Sequence, residues 1–169
     1  MVMSTAWLKA NLPGFANLSL AERRAIADFT FLWTLFEARI LATRGSAQAI
    51  TSAVTAWYQA GQLAVNSFDG ELAYFRSRYF ENGEFTHHFD GLHLRQNDNP
   101  ALVRGVIDGS DNGDQNRVIA ILTILFRYRN NLFHGIKWQY HFVDQLENFR
   151  QANAILKRVL ERHGNLLGP

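Results

Sequence analysis

The segment from Arg127 to His134 (Arg-Tyr-Arg-Asn-Asn-Leu-Phe-His) brings two guanidinium groups, two carboxamides and an imidazole into about two turns of chain. That set suits work on a phosphodiester. A histidine near neutral pH can take the proton from a ribose 2′-OH or return one to the leaving 5′-oxygen. A guanidinium can grip a phosphate through two N–H groups and stabilise the charge growing on its oxygens. Asn130 and Asn131 can hold the phosphate, fix the imidazole tautomer or cap a helix end. At about 100° per residue, Arg127, Asn130, Asn131 and His134 share one helix face and Arg129 points roughly away. Helix ends tighten or unwind, so Arg127 and Arg129 both stand as the phosphate clamp. A structural reading competes: asparagine caps, a histidine at the negative helix end and an arginine paired with an acid.

The elements that must position these groups read as helices separated by punctuation. Ser19-Leu20-Ala21-Glu22 has the form of a capping box and opens a helix to about Arg44, stopped by Gly45. Ile26, Phe29, Trp33, Phe36 and Ile40 recur at helical steps along it. A second helix fits residues 46–60, capped by Ser46 and closed by Gly61, and a third fits about 67–80. Residues 81–98 lack any sustained period and read as a long loop with at most one short turn. Asn99-Pro100 opens a short helix that ends at Gly109. Asp114 caps the next helix, which runs to about Phe133 and is apolar nearly all round, so it is expected to be the central, most buried one. A last helix is expected over about 140–163, with Phe142, Leu146, Phe149, Leu156 and Leu160 facing inward. The fold class that follows is all-α, a helical bundle of about five to six helices in a single domain, with the motif at the end of the central helix.

Composition narrows the chemistry. The chain of 169 residues has no cysteine, which excludes disulfides, thiolate catalysis and cysteine-bearing zinc sites. No apolar run approaches the ~20 residues of a membrane span, and no basic segment followed by an apolar run suggests a secretory signal. A cytoplasmic protein is expected. The net charge of +2 is unevenly spread: residues 115–169 hold eight Arg/Lys against three Asp/Glu, and residues 1–114 hold nine against twelve. A basic C-terminal part suits an anionic partner such as RNA, or is an ordinary solvated set of helix charges.

The string Arg-Asn-Asn-Leu-Phe-His-Gly at residues 129–135, within a run from about Leu122 to Ala154, resembles bacterial domains of the HEPN superfamily (higher eukaryotes and prokaryotes nucleotide-binding). The likeness covers the last third and extends loosely to the first long helix, with Trp33 and Phe36. It implies a metal-independent endoribonuclease that cuts by 2′-OH attack, leaving a 2′,3′-cyclic phosphate and a 5′-hydroxyl. His134 would be the acid/base and Arg129 the phosphate clamp, with Asn130 beside them at the catalytic centre and Arg127 and Asn131 in support. Such domains work as two-fold dimers that bring two histidines into one cleft, which implies a homodimer here. They resemble toxins of toxin–antitoxin or phage-defence systems, so an antitoxin or other regulatory protein is an expected partner. No cofactor is implied. Some of these toxins carry a modifiable tyrosine two residues after the histidine; Ile136 stands there in this chain, which puts that mode of silencing in doubt.

Other residues are weighed beside the motif. Glu37 lies on the apolar stripe of the first long helix, where a carboxylate is costly unless paired; it is expected to reach Arg127, Arg129 or His134, unless the edge of the stripe is exposed there or Glu37 pairs with a distant structural arginine. Lys137 and Trp138 follow the motif as candidate RNA contacts, with His141 behind them. His87, His88 and His93, with Glu84 and Asp90, could suit a metal, but the spacing matches no metal template and a solvated loop is the expectation; Arg95 in the same loop could line an RNA groove. Two further readings remain open: a non-catalytic module that binds RNA or a nucleotide and dimerises, and a purely structural helical protein in which the His134 face is buried.

Overall fold

The capping box at Ser19 forms as its residue types demand. The Ser19 hydroxyl accepts the Glu22 N–H at 3.2 Å, and the Glu22 carboxylate accepts the Ser19 N–H at 2.7 Å. The computed structural model describes residues 3–134, 142 and 144–166, and among them the chain is an all-α bundle. Its helices are α1 (Met3–Asn11), α2 (Leu20–Arg39), α3 (Ala47–Gln59), α4 (Asp69–Tyr79), the single turn α5 (His87–Asp90), α6 (Pro100–Asp108), α7 (Asp114–Phe133) and α8 (Leu146–His163). None is long and apolar enough to cross a membrane.

Several boundaries differ from the sequence reading. Helix α1 was not anticipated. Helix α2 ends at Arg39 rather than Arg44, because the chain enters the left-handed region at Ala42 (φ 49°) and Thr43 (φ 63°) and the Glu37 carboxylate captures the Gly45 N–H at 3.1 Å. Gly113, not Asp114, occupies the cap position of α7, and no side chain caps that helix. Residues 81–98 are more ordered than a plain loop. A hairpin pairs β1 (Phe80–Glu81) with β2 (Glu84–Phe85) in antiparallel register, Phe80 opposite Phe85. Its turn is Asn82-Gly83 with φ of 52° and 82°, the doubly left-handed geometry that suits a two-residue hairpin. Of the expected helix start near residue 140, residues 135–141 and 143 lie outside the described residues. Phe142 is buried but has φ 56°, and α8 begins only at Leu146.

Helix α7 is the centre. From Val118 to Asn131 only Arg129 is not buried. Helices α3 and α6 pack along it, and aromatic contacts tie it to the rest. Phe126 meets Trp33 of α2 at 6.1 Å between ring centroids, and Tyr128 meets Phe75 of α4 at 6.3 Å and Phe149 of α8 at 6.2 Å. Helices α2 and α8 pack together, with Phe29 against Phe149 at 5.2 Å and the Asn153 amide donating to the Ala25 carbonyl at 2.9 Å. Burial of such rings contributes roughly 1.5–3 kcal/mol each, so the core rather than helix propensity holds α7 in place.

The end of α8 is fastened to α3 by a flat stack of His163 on Trp57, with ring centroids 3.8 Å apart. Burial, helped by Arg162, depresses the His163 pKa from 6.5 to about 4. The folded state therefore refuses a proton that the unfolded chain accepts, and the stabilising effect is full above the unfolded value and lost below it. Urea denaturation should show stability falling as pH drops from about 6.5 towards about 4. His163→Phe keeps the stack and should flatten this part of the profile; an unchanged profile in that variant would remove His163 as its source.

Candidate functional site

The last two turns of α7 carry polar side chains into the core, and each makes at least one polar contact, although Oδ1 of Asn131 is buried with no partner among the described residues. Arg127 is 1% exposed. Its Nε donates to the Leu92 carbonyl at 3.0 Å, and its Nη1 lies 3.2 Å from the Asp98 carboxylate, itself buried. Burial pulls the Arg127 pKa down and Asp98 opposes that shift. Asn131 is fully buried, and its Nδ2 donates to the carbonyls of Gly91 at 3.1 Å and Leu92 at 3.2 Å. These two residues therefore pin the 91–98 segment to α7. The expected face of Arg127, Asn130 and Asn131 exists, but it points inward. Arg127 and Asn131, expected in support of the clamp, lie in the fold's interior with these partners.

Arg129 goes the other way. Its side chain is 31% exposed, and its Nη2 lies 3.6 Å from Oε2 of Glu37. Its Nη1 donates to Oδ1 of Asn130 at 3.0 Å, and its guanidinium sits 5.2 Å from the Phe133 ring centroid, within cation–π range. Asn130 is 6% exposed, so Arg129 is held at the surface by one buried and one half-buried acceptor. The helix is intact to Phe133, and His134 then leaves it at φ −85° and ψ 7°. Its backbone N–H returns to the Asn130 carbonyl at 2.9 Å, and the residue is exposed. The purely structural reading requires a buried His134 face: the other three members of that face are buried, and His134 itself is exposed. Lys137 and Trp138 lie outside the described residues.

Glu37 organises the surface side. Its Oε2 accepts the Trp33 indole N–H at 2.9 Å and faces Arg129, while its Oε1 accepts the Gly45 N–H. Of the partners expected for it, Arg129 is the one it reaches. Gly45 matters for its size: a Cβ there would collide with Oε1 of Glu37. Sequence reasoning took Gly45 only as a helix stop and missed Asp98 and the Trp33 indole. An Asp near a buried arginine is visible in the sequence only once the fold is known.

The loop histidines surround a second feature, a cavity of about 480 Å³ between α4, α5, α7 and the start of α8, lined in part by Arg78, His88, Tyr79 and Tyr128. The Tyr79 and Tyr128 hydroxyls bond to each other, and burial raises both phenol pKa values. His88 lies 3.5 Å from Arg78 and 3.9 Å from Asp144. Among the described residues no group of three His, Asp or Glu is placed to hold a metal ion.

No family model, curated protein or solved structure matches the chain, so the site's reading rests on this geometry.

Two outcomes follow from the pairings. Asp98→Ala leaves the buried Arg127 charge without its carboxylate and should cost about 3–5 kcal/mol in chemical denaturation. The double change Arg127→Met with Asp98→Leu should cost much less; equal losses would mean that the pair is not what matters. Gly45→Ala drives a methyl group into the Glu37 carboxylate and should cost about 1–3 kcal/mol, and wild-type stability in that variant would show that the close approach is dispensable.

Proposed function

We propose that the protein is a metal-independent endoribonuclease that works at the open end of α7. The observation that supports this reading is the division of labour along one string. Arg127 and Asn131 are consumed by the interior, whereas Arg129 and His134 stay at the surface, with Arg129 braced by Glu37 and Asn130. A braced guanidinium loses less freedom on gripping a phosphate than a free one. The resemblance of residues 129–135 to the HEPN string supports the same reading.

In the proposed reaction Arg129 binds a nonbridging oxygen pair of the scissile phosphate. A His134 imidazole removes the 2′-OH proton as that oxygen attacks phosphorus. The 5′-oxygen leaves with a proton delivered by an imidazole, and the products are a 2′,3′-cyclic phosphate and a 5′-hydroxyl. One protomer offers one such histidine. A two-fold homodimer across this helix end supplies the second, and Phe133, 57% exposed beside the site, offers apolar surface for that contact. The chain would act on cytoplasmic RNA in a toxin or phage-defence setting, under an antitoxin or another regulatory protein.

A second reading keeps the geometry and drops the chemistry. Arg129, held by Glu37 and Asn130, could equally serve a module that binds RNA or a nucleotide without cutting it. The two readings separate in one assay. RNA incubated with the protein in EDTA should be cut, with 2′,3′-cyclic phosphate ends, and His134→Ala and Arg129→Ala should each slow cutting at least ~100-fold. Cutting that survives His134→Ala overturns the mechanism. Binding that is lost in Arg129→Ala, with no cutting by the wild type, selects the binding module.

A further inference from the structure

The cavity of about 480 Å³ beside α5 has two kinds of wall. The inner wall is apolar and aromatic: Leu92 and Phe142 are buried there with Tyr79 and Tyr128. Burial raises both phenol pKa values, so both phenols stay protonated and this wall carries no charge. A volume of this size suits a small organic molecule rather than one trapped water. Leu92 also holds Arg127 through its carbonyl, so the wall is part of the frame around α7.

The rim is polar, and it decides what can enter. The guanidinium of the lining, Arg78, is spent on Asp144: Nη1 donates to Oδ2 and Nη2 to the backbone carbonyl, both at 3.0 Å. His88 stands 3.5 Å from the same guanidinium, and His87 lies against His88 with ring centroids 3.9 Å apart. The acceptors of the rim are not all spent. The Asp90 carboxylate and the His93 imidazole make no hydrogen bond among the described residues, and both residues are exposed. With the imidazoles neutral, one paired arginine stands against two carboxylates, Asp90 and Asp144. Such a rim repels an anion and has acceptors to spare for an N–H or O–H donor.

We propose that this cavity binds a small uncharged aromatic molecule with a hydrogen-bond donor on its ring edge, of the indole or phenol class. The ring packs among Tyr79, Leu92, Tyr128 and Phe142, where burial of apolar surface supplies the affinity. The donor is received at the rim by Asp90 and His93. The site stands apart from the ribonuclease reading, because the cavity lies on the α4 side of α7 and Arg129 on the α2 side.

Titration calorimetry on the whole chain with three probes tests this: indole, N-methylindole and indole-3-acetate. Indole should bind with a dissociation constant at or below about 1 mM, within reach of a ligand of its size. N-methylindole keeps the ring and loses the donor, and should bind at least ~five-fold more weakly. Indole-3-acetate adds an anion and should also bind at least ~five-fold more weakly at low salt. Two variants locate the site. Asp90→Asn changes an exposed side chain; it should weaken indole binding about three-fold and narrow the gap to indole-3-acetate. His93→Gly removes the imidazole where φ is 52°, a conformation that suits glycine, so about three-fold weaker indole binding should come with thermal stability maintained. No binding of indole overturns the proposal, and so does indole binding unchanged in both variants. Weaker indole binding in either variant, with thermal stability maintained, supports it. Equal or tighter binding of indole-3-acetate overturns the uncharged class, and equal binding of N-methylindole overturns the donor.

Discussion

A helix buried on nearly every side cannot end in polar residues unless the surrounding fold answers each of them, and α7 does end that way. Arg127, Tyr128, Asn130 and Asn131 are all buried. An unmatched buried donor or acceptor costs about 1–3 kcal/mol, and an unmatched charge more. The 91–98 segment exists in its observed shape because it supplies the answers: two carbonyls at Gly91 and Leu92 and the carboxylate of Asp98. Tyr128 is answered by the Tyr79 hydroxyl from α4. The interior of α7 thus sets the path of a segment that has little regular structure of its own.

The same constraint explains why the two arginines part. A guanidinium one turn inside the bundle must take an anion with it, and Arg127 takes Asp98. Two residues on, the helix face has rotated to solvent. Arg129 there meets a half-buried carboxylate and keeps about a third of its side chain exposed. Its brace is built from the second helix. Trp33 and Gly45 hold Glu37 from opposite sides, so the carboxylate's position is set by α2 and by the turn that follows it. Arg129 at the exposed end of the motif is thus held by one side-chain hydrogen bond and one ion pair.

The end of α7 presents Arg129, partly exposed and held by Glu37 and Asn130, beside an exposed His134. The basic C-terminal part contributes less than its charge count suggests. Arg158 is tied to Glu71, Arg162 to the Gln62 carbonyl, and Arg117 to Asp69. Net charge along the sequence overstates the cations left for a ligand.

The sequence by itself determined whatever depends on neighbours a few residues apart. The Ser19 and Ser46 caps, proline at the start of α6, the Gly109 stop and the all-round burial of α7 follow from local spacing, because helix hydrogen bonds and faces repeat every three or four residues. The hairpin at Asn82-Gly83 was not read from the sequence, because its strands are two residues long and leave no alternation to read. Tertiary structure alone decided the rest. The early end of α2 depends on Glu37 reaching across to Gly45. Which of Arg127 and Arg129 is buried depends on which side of α7 the 91–98 segment covers. Residue types say that an arginine needs an anion; only the packing of distant segments says which arginine finds one inside and which keeps its face to solvent.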